Sequence, residues 1–218
     1  MTWTDPLFTS YIKPVGVNPE GFDVALYLQE LLYRVGVLPP EDAYREVILD
    51  MFCGKGRLTP CVPARHARVY RGVDINEAAI AEAKRANPGY TFAVQDGTER
   101  VWKAKAILLW TAISMLDDTA LPPFLALLDA SYIIVGEILG RDWRATPTSV
   151  HPGIYNRDFG ETVEAFAAAG YELAHHECIP HAHYSDGHWL RMHDTAVHVF
   201  VFRKDDSWQF YKDARDAR

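Results

Sequence analysis

Asp50, Asp74 and Asp96 stand 24 and 22 residues apart, each at the end of a short apolar run. A carboxylate in such a place only accepts hydrogen bonds, and at a strand end it can take both hydroxyl protons of a ribose diol. Asp74, followed by Ile75, fits that task, and Asp96, followed by Gly97, is spaced to meet an adenine amino group. Asp50 opens the turn Asp50-Met51-Phe52-Cys53-Gly54-Lys55-Gly56. Gly54 and Gly56 lack a Cβ, so the backbone there can approach a ligand closely. Glu137 ends a further apolar run, where a carboxylate is costly unless it has a partner.

Histidine supplies a second chemistry. Seven of the nine histidines lie between His175 and His198. Imidazole titrates near neutral pH and can take a proton from an acceptor nitrogen, oxygen or carbon. His181, His183 and His188 fall on the connection between two predicted strands, on the rim expected to carry the ligand. His181, His183, Asp186 and His188 are alternatively a nitrogen and oxygen ligand set for zinc or iron, at a spacing that matches no established pattern. His198, inside the apolar run VHVFVF, reads as a hydrogen-bonded core residue, and the adjacent His175 and His176 face opposite sides of a strand. The end of the run Tyr132–Ile138 and the segment after it bring Glu137, Arg141, Trp143, Arg144, His151, Tyr155 and Arg157, groups that bind a carboxylate or stack on a ring.

These residues need elements to position them. Val24, Leu28, Leu31, Leu32 and Val35 form a helical stripe ended by Gly36, Pro39 and Pro40. Val47–Leu49, Val69–Val73, Tyr90–Val94, Ala106–Trp110 and Tyr132–Ile138 read as strands. Helices are expected at Glu77–Ala86, Leu121–Leu128 and Asp158–Ala169. The strands Tyr171–Ile179 and Thr195–Arg203 follow with no helix between them, so they pair antiparallel at one edge. The alternation predicts one α/β domain: a doubly wound, mostly parallel sheet of about seven strands with an antiparallel edge strand. An N-terminal arm and helix over 1–40, carrying Trp3, Phe8 and Tyr11, forms a lid or packs on the edge. Residues 41–204 are the ligand-binding domain and 205–218 a charged tail.

Composition narrows the classes. Of 218 residues, 49% are hydrophobic and 23% charged, as in folded globular domains. Asp and Glu number 29 against 22 Lys and Arg, a net charge of −7 that repels phosphate backbones, so no nucleic-acid partner is expected. Three cysteines, with no Cys-x-x-Cys pair, read as reduced cytosolic thiols. No apolar run suits a membrane span and the start lacks a signal-peptide pattern, so a cytoplasmic protein without a membrane partner is expected. Oligomeric state is not readable.

The glycine turn and its three acids resemble the class I S-adenosylmethionine-dependent methyltransferases over about residues 45–203. The resemblance implies a Rossmann-like fold and S-adenosylmethionine as cofactor. It places the methionine end at Asp50, Phe52, Gly54 and Gly56, the ribose at Asp74 and Ile75, and the adenine at Asp96 and Gly97. It also implies a short aromatic-rich segment after the fourth strand, matched by Trp110 to Met115, with Trp110 among the cofactor-binding residues. Phe52 replaces the first glycine of the usual loop, as in some RNA uridine methyltransferases, a subgroup that the acidic charge disfavours. A nicotinamide enzyme would need glycine where Thr59 stands. The implied activity is methyl transfer to a small metabolite, with His183, His151, Tyr155 and Glu137 as catalytic candidates. Cyclisation, aminocarboxypropyl transfer and a non-enzymatic histidine-rich metal-binding module remain alternatives.

Overall fold

The computed structural model describes residues 23–38, 47–140, 155, 157–180 and 195–204. Helix α1, Val24–Arg34, begins where the Asp23 side chain accepts the Leu26 N–H at 3.0 Å. Strand β1, Ile48–Met51, is buried at every position, as a strand covered on both faces must be. Two 3-10 turns, Thr59–Cys61 and Ala64–Val69, lead to β2, Tyr70–Asp74, and Pro60 and Pro63 oppose a continuous helix there. Next come α2, Glu77–Ala86, capped by Asn76, then β3, Thr91–Val94, and β4, Trp102–Trp110. A short α3, Leu121–Leu125, precedes β5, Leu128–Gly140. Helix α4, Phe159–Ala168, starts at a capping box in which Asp158 and Glu161 satisfy each other's backbone N–H. Strands β6, Tyr171–Pro180, and β7, Thr195–Lys204, complete the described chain.

The seven strands form one sheet in the order β3-β2-β1-β4-β5-β7-β6. Strands β1 to β5 pair in parallel, and β7 runs antiparallel between β5 and the edge strand β6. This is the expected doubly wound sheet, its antiparallel strand inserted one place in from the edge. Both faces are covered. Leu28, Leu31 and Leu32 of α1 and Ile80 of α2 pack with Ile48, Leu108, Ile134 and Val199. On the other face Phe124 of α3 and Phe166 of α4 pack with Leu49, Ile107, Ile133, Phe200 and Phe202.

Three boundaries differ from expectation by three residues or more. The helix predicted to run to Leu128 stops at Leu125, because Leu128 already pairs with Trp102 as the first residue of β5. Strands β4 and β5 begin earlier than their apolar runs, since the sheet extends through Lys103 and Asp129, which are ion-paired at its solvent-facing end. The arm residues Trp3, Phe8 and Tyr11 and the tail 205–218 lie outside the described residues.

Candidate functional site

The strand order reverses about β1 and β4, and the turn after β1 lies at that crevice. Phe52, Gly54 and Gly56 all adopt left-handed backbone, with φ of 57°, 53° and 76°. The two glycines serve different ends. A Cβ on Gly54 would meet nothing within 4 Å, so the space over it is open. A Cβ on Gly56 would lie 2.9 Å from Thr59 Oγ1 and 3.0 Å from the Phe92 ring, so that glycine answers to internal packing. Phe52 takes a conformation costly for a side chain, and its ring packs on Phe124 with centroids 5.6 Å apart. Gly97 leaves room for that ring, because a Cβ there would lie 3.1 Å from Phe52 Cζ.

The three acids share the carboxyl edge of the sheet. Asp74 Oδ2 accepts the Gly54 N–H and Oδ1 the Asn76 N–H, both at 2.8 Å, which fixes the carboxylate beside the open glycine. Each oxygen keeps a further lone pair for a ligand hydroxyl. Asp96 Oδ1 accepts the Thr98 N–H and hydroxyl. Asp96 also lines an open hollow of about 430 Å³ with Ile75, Val94, Gln95, Glu99 and Arg100. Ile75 and Val94 are 40% and 47% exposed, an apolar surface suited to a flat ring. Asp50 is different: it is buried and accepts the Tyr70 hydroxyl at 2.5 Å. Burial raises its pKa to about 7, against the lowering effects of the Tyr70 bond and of Arg57. It supports the turn from beneath.

Sequence reasoning missed Arg57. Its guanidinium reaches from the glycine turn to the end of β4, where Nη2 donates to Thr111 Oγ1 at 3.4 Å, and its Nη1 is buried with no hydrogen-bond partner among the described residues. Burial lowers its pKa, while the charges of Asp50 and Glu137 oppose that shift. Thr111 is, with Phe52, one of two non-glycine residues with positive φ among those described. Trp110 ends β4 as expected, but its ring lies in the core over Gly136 rather than open to a cofactor, and its indole N–H is buried with no hydrogen-bond partner among the described residues. Only a charged residue inside a ligand turn hinted at Arg57, and such residues are usually solvated.

Glu137 finds its partners in the segment after β4. Its Oε1 accepts the Ile113 N–H at 2.8 Å and the Ser114 N–H at 3.3 Å. Burial still lifts its pKa to about 7, with Ser114 and the backbone N–H groups pulling the other way. Arg157 holds the same segment from its carbonyl side. It donates to Ile113 O at 2.9 Å and Leu116 O at 2.6 Å, and pairs with Asp118 at 3.0 Å. It is therefore engaged within the protein rather than presented to a ligand carboxylate. Tyr155, 40% exposed, donates its backbone N–H to Ser114 O at 2.7 Å, so it sits beside this segment. His151, His183 and the other proposed ligands His181, Asp186 and His188 lie outside the described residues.

No protein-family model matches the chain, and no curated protein matches it in sequence. Solved structures do resemble it. The magnesium protoporphyrin IX methyltransferase ChlM of Synechocystis PCC 6803, with bound S-adenosylmethionine, is 15% identical over 93% of each chain, at a TM-score of 0.64. A putative sarcosine dimethylglycine methyltransferase from Galdieria sulphuraria is 12% identical over 83% of this chain and 85% of its own, at 0.65. The 4+2 cyclase SpnF is 18% identical over 82% and 80%, at 0.58. Strand order, helices on both faces and these likenesses agree: the chain has the class I S-adenosylmethionine-dependent methyltransferase fold.

Proposed function

We propose that the protein binds S-adenosylmethionine and transfers its methyl group to a small molecule. One observation carries the reading: Asp74 is held beside the uncovered Gly54, at the crevice of a sheet whose fold is that of such enzymes. The residues present suit the cofactor. Asp74 offers two oxygens to the ribose, and Asp96, Ile75 and Val94 border a hollow for the adenine. Arg57 Nη1, a buried donor atom with no hydrogen-bond partner among the described residues, is suited to the carboxylate of the amino-acid end. Phe52 and Gly97 shape the turn, and Asp50, Gly56 and Trp110 support it from the interior.

When bound, the cofactor supplies a methyl group on a positively charged sulfur, and the remaining work is orientation and proton removal. Glu137 and Arg157 fix the segment 113–118 from opposite sides, which gives the acceptor a rigid wall. Tyr155 borders that wall, and His151 and His183 remain the proposed proton acceptors. The acidic net charge favours a small-molecule acceptor over a nucleic acid. No helix among the described residues is long and apolar enough to cross a membrane.

Calorimetry with S-adenosylhomocysteine and with NAD tests the cofactor. Binding of the first and not the second is expected, and Asp74→Ala should weaken it roughly tenfold to a hundredfold, as for lost hydrogen bonds to a charged group. Binding of NAD alone, or unchanged affinity in the variant, would overturn the proposal. A second reading, the same cofactor used for cyclisation or aminocarboxypropyl transfer, draws on the likeness to a cyclase. Mass spectrometry separates them, since S-adenosylhomocysteine marks methyl transfer and methylthioadenosine marks aminocarboxypropyl transfer.

A further inference from the structure

Strand β4 lies three places from β3 in the sheet, yet only residues 95–101 join them and they form no helix. A parallel crossover ordinarily takes a dozen or more residues and lays a helix over the sheet. Arg71 shares a face of β2 with Val73, and Ala93 of β3 pairs beside them on that side. Arg71 and Ala93 are only half-buried there. Arg71 Nη2 and Arg100 Nη2 both donate to Gln95 Oε1, at 3.4 and 3.0 Å, so two cations converge on one neutral amide. Neither guanidinium has a carboxylate partner among the described residues, and Arg71 Nε is buried there with no hydrogen-bond partner. We propose that Arg71, Arg100 and Gln95 form a binding site for a tetrahedral oxyanion, the phosphate group of a small ligand.

Each donor is oriented from within the chain. Arg100 Cζ lies 4.1 Å over the Trp102 ring, and that buried ring is itself held by its N–H bond to Gly97 O at 2.8 Å. Arg71 rises from β2, whose backbone is paired on both sides by β1 and β3. A guanidinium only donates, so the atom of Gln95 that both arginines approach is its oxygen, and the amide Nε2 hydrogens are left for a ligand. Arginine forks match oxyanions in shape as well as charge. Three donor groups from three residues suit the three free oxygens of a phosphate monoester, where a planar carboxylate offers two. The chain carries a net charge of −7, so a pair of uncompensated arginines is a local exception to a field that repels anions. Gln95 and Arg100 also line the hollow beside Asp96, so the cluster opens to solvent.

Inorganic phosphate, titrated into the full chain at constant ionic strength and followed by phosphorus NMR line broadening, tests the site. Saturable binding is expected, with sulfate competing and acetate competing roughly tenfold less well, as for loss of one charge-assisted hydrogen bond. Arg71→Met and Arg100→Met should each weaken phosphate binding roughly tenfold to a hundredfold. Arg85→Met removes an exposed cation from the last turn of α2 and should leave binding unchanged, which separates the site from a general charge effect. Gln95→Glu sets a carboxylate between the two arginines. It should abolish phosphate binding while raising the urea midpoint, because the internal acid takes the ligand's place. No saturable binding, unchanged affinity in Arg71→Met or Gln95→Glu, an equal loss in Arg85→Met, or acetate binding as well as phosphate would each overturn the proposal. Phosphate binding is read without the cofactor, so the outcome is independent of S-adenosylhomocysteine binding. Arg71→Met should keep the parent's affinity for S-adenosylhomocysteine, which shows that the variant folds.

Discussion

Two buried carboxyl groups, Asp50 and Glu137, give the site an electrostatic character that their strand-end positions only partly announce. Both are pushed up to about 7 by burial. A carboxyl whose folded pKa exceeds its unfolded value binds its proton more tightly when folded. Its contribution is therefore fully present below the unfolded value, near 4, and is lost as pH rises toward 7. His198 acts in the opposite sense: its depressed pKa gives stability that is present above about 6.5 and lost as pH falls toward 4. The two trends oppose each other between pH 4.5 and 6.5, so variants must separate them. Glu137→Gln keeps the shape and removes the titration. Asp50 still titrates in it, so its urea stability should fall between pH 5 and 7 by less than the parent's, a difference of roughly 2 kcal/mol for a shift of that size. An unchanged pH slope in the variant would show that Glu137 titrates normally.

At the level of elements, the seam between β4 and β5 decides how the site is held. Trp110 and Gly136 are paired across the ladder, and the indole occupies the space a side chain on Gly136 would need. A Cβ there would lie 2.2–2.4 Å from ring atoms, far inside van der Waals contact. Gly136→Ala should therefore cost about 2–3 kcal/mol by overpacking, read as a lower urea midpoint with unchanged slope. Adding Trp110→Leu should restore part of the loss, because the two side chains compete for one space. The strand ends themselves are legible in sequence, since a short apolar run closed by an acid is a local signal. Arg57 and Arg157 are not. Arg57 carries no local signal and Arg157 reads as a loop cation for a ligand carboxylate, and only the fold aims one at Thr111 and the other at the carbonyls of Ile113 and Leu116.

Over the whole molecule, ligand binding and folding are coupled by mass action. At a hundred times its dissociation constant, a ligand that binds only the folded chain stabilises it by about 2.7 kcal/mol. For a chain of this size that corresponds to a Tm rise of about 5–11 °C. S-adenosylhomocysteine should produce such a rise in differential scanning fluorimetry and NAD should not. A rise that persists undiminished in Asp74→Ala would place the ligand elsewhere.

The sequence by itself determined the kind of fold and the turn and acids that border the crevice, because apolar periodicity, glycine turns and strand-end carboxylates are written within a few neighbouring residues. Strand order was decided only by tertiary structure. The insertion of β7 between β5 and β6 sets His198 beside both Glu137 and Cys178, residues 61 and 20 positions away in the chain. So were the burial that raises the two carboxyl pKa values and the reach of Arg57 across β4. Each depends on which distant segments close over a side chain, and no local pattern encodes that.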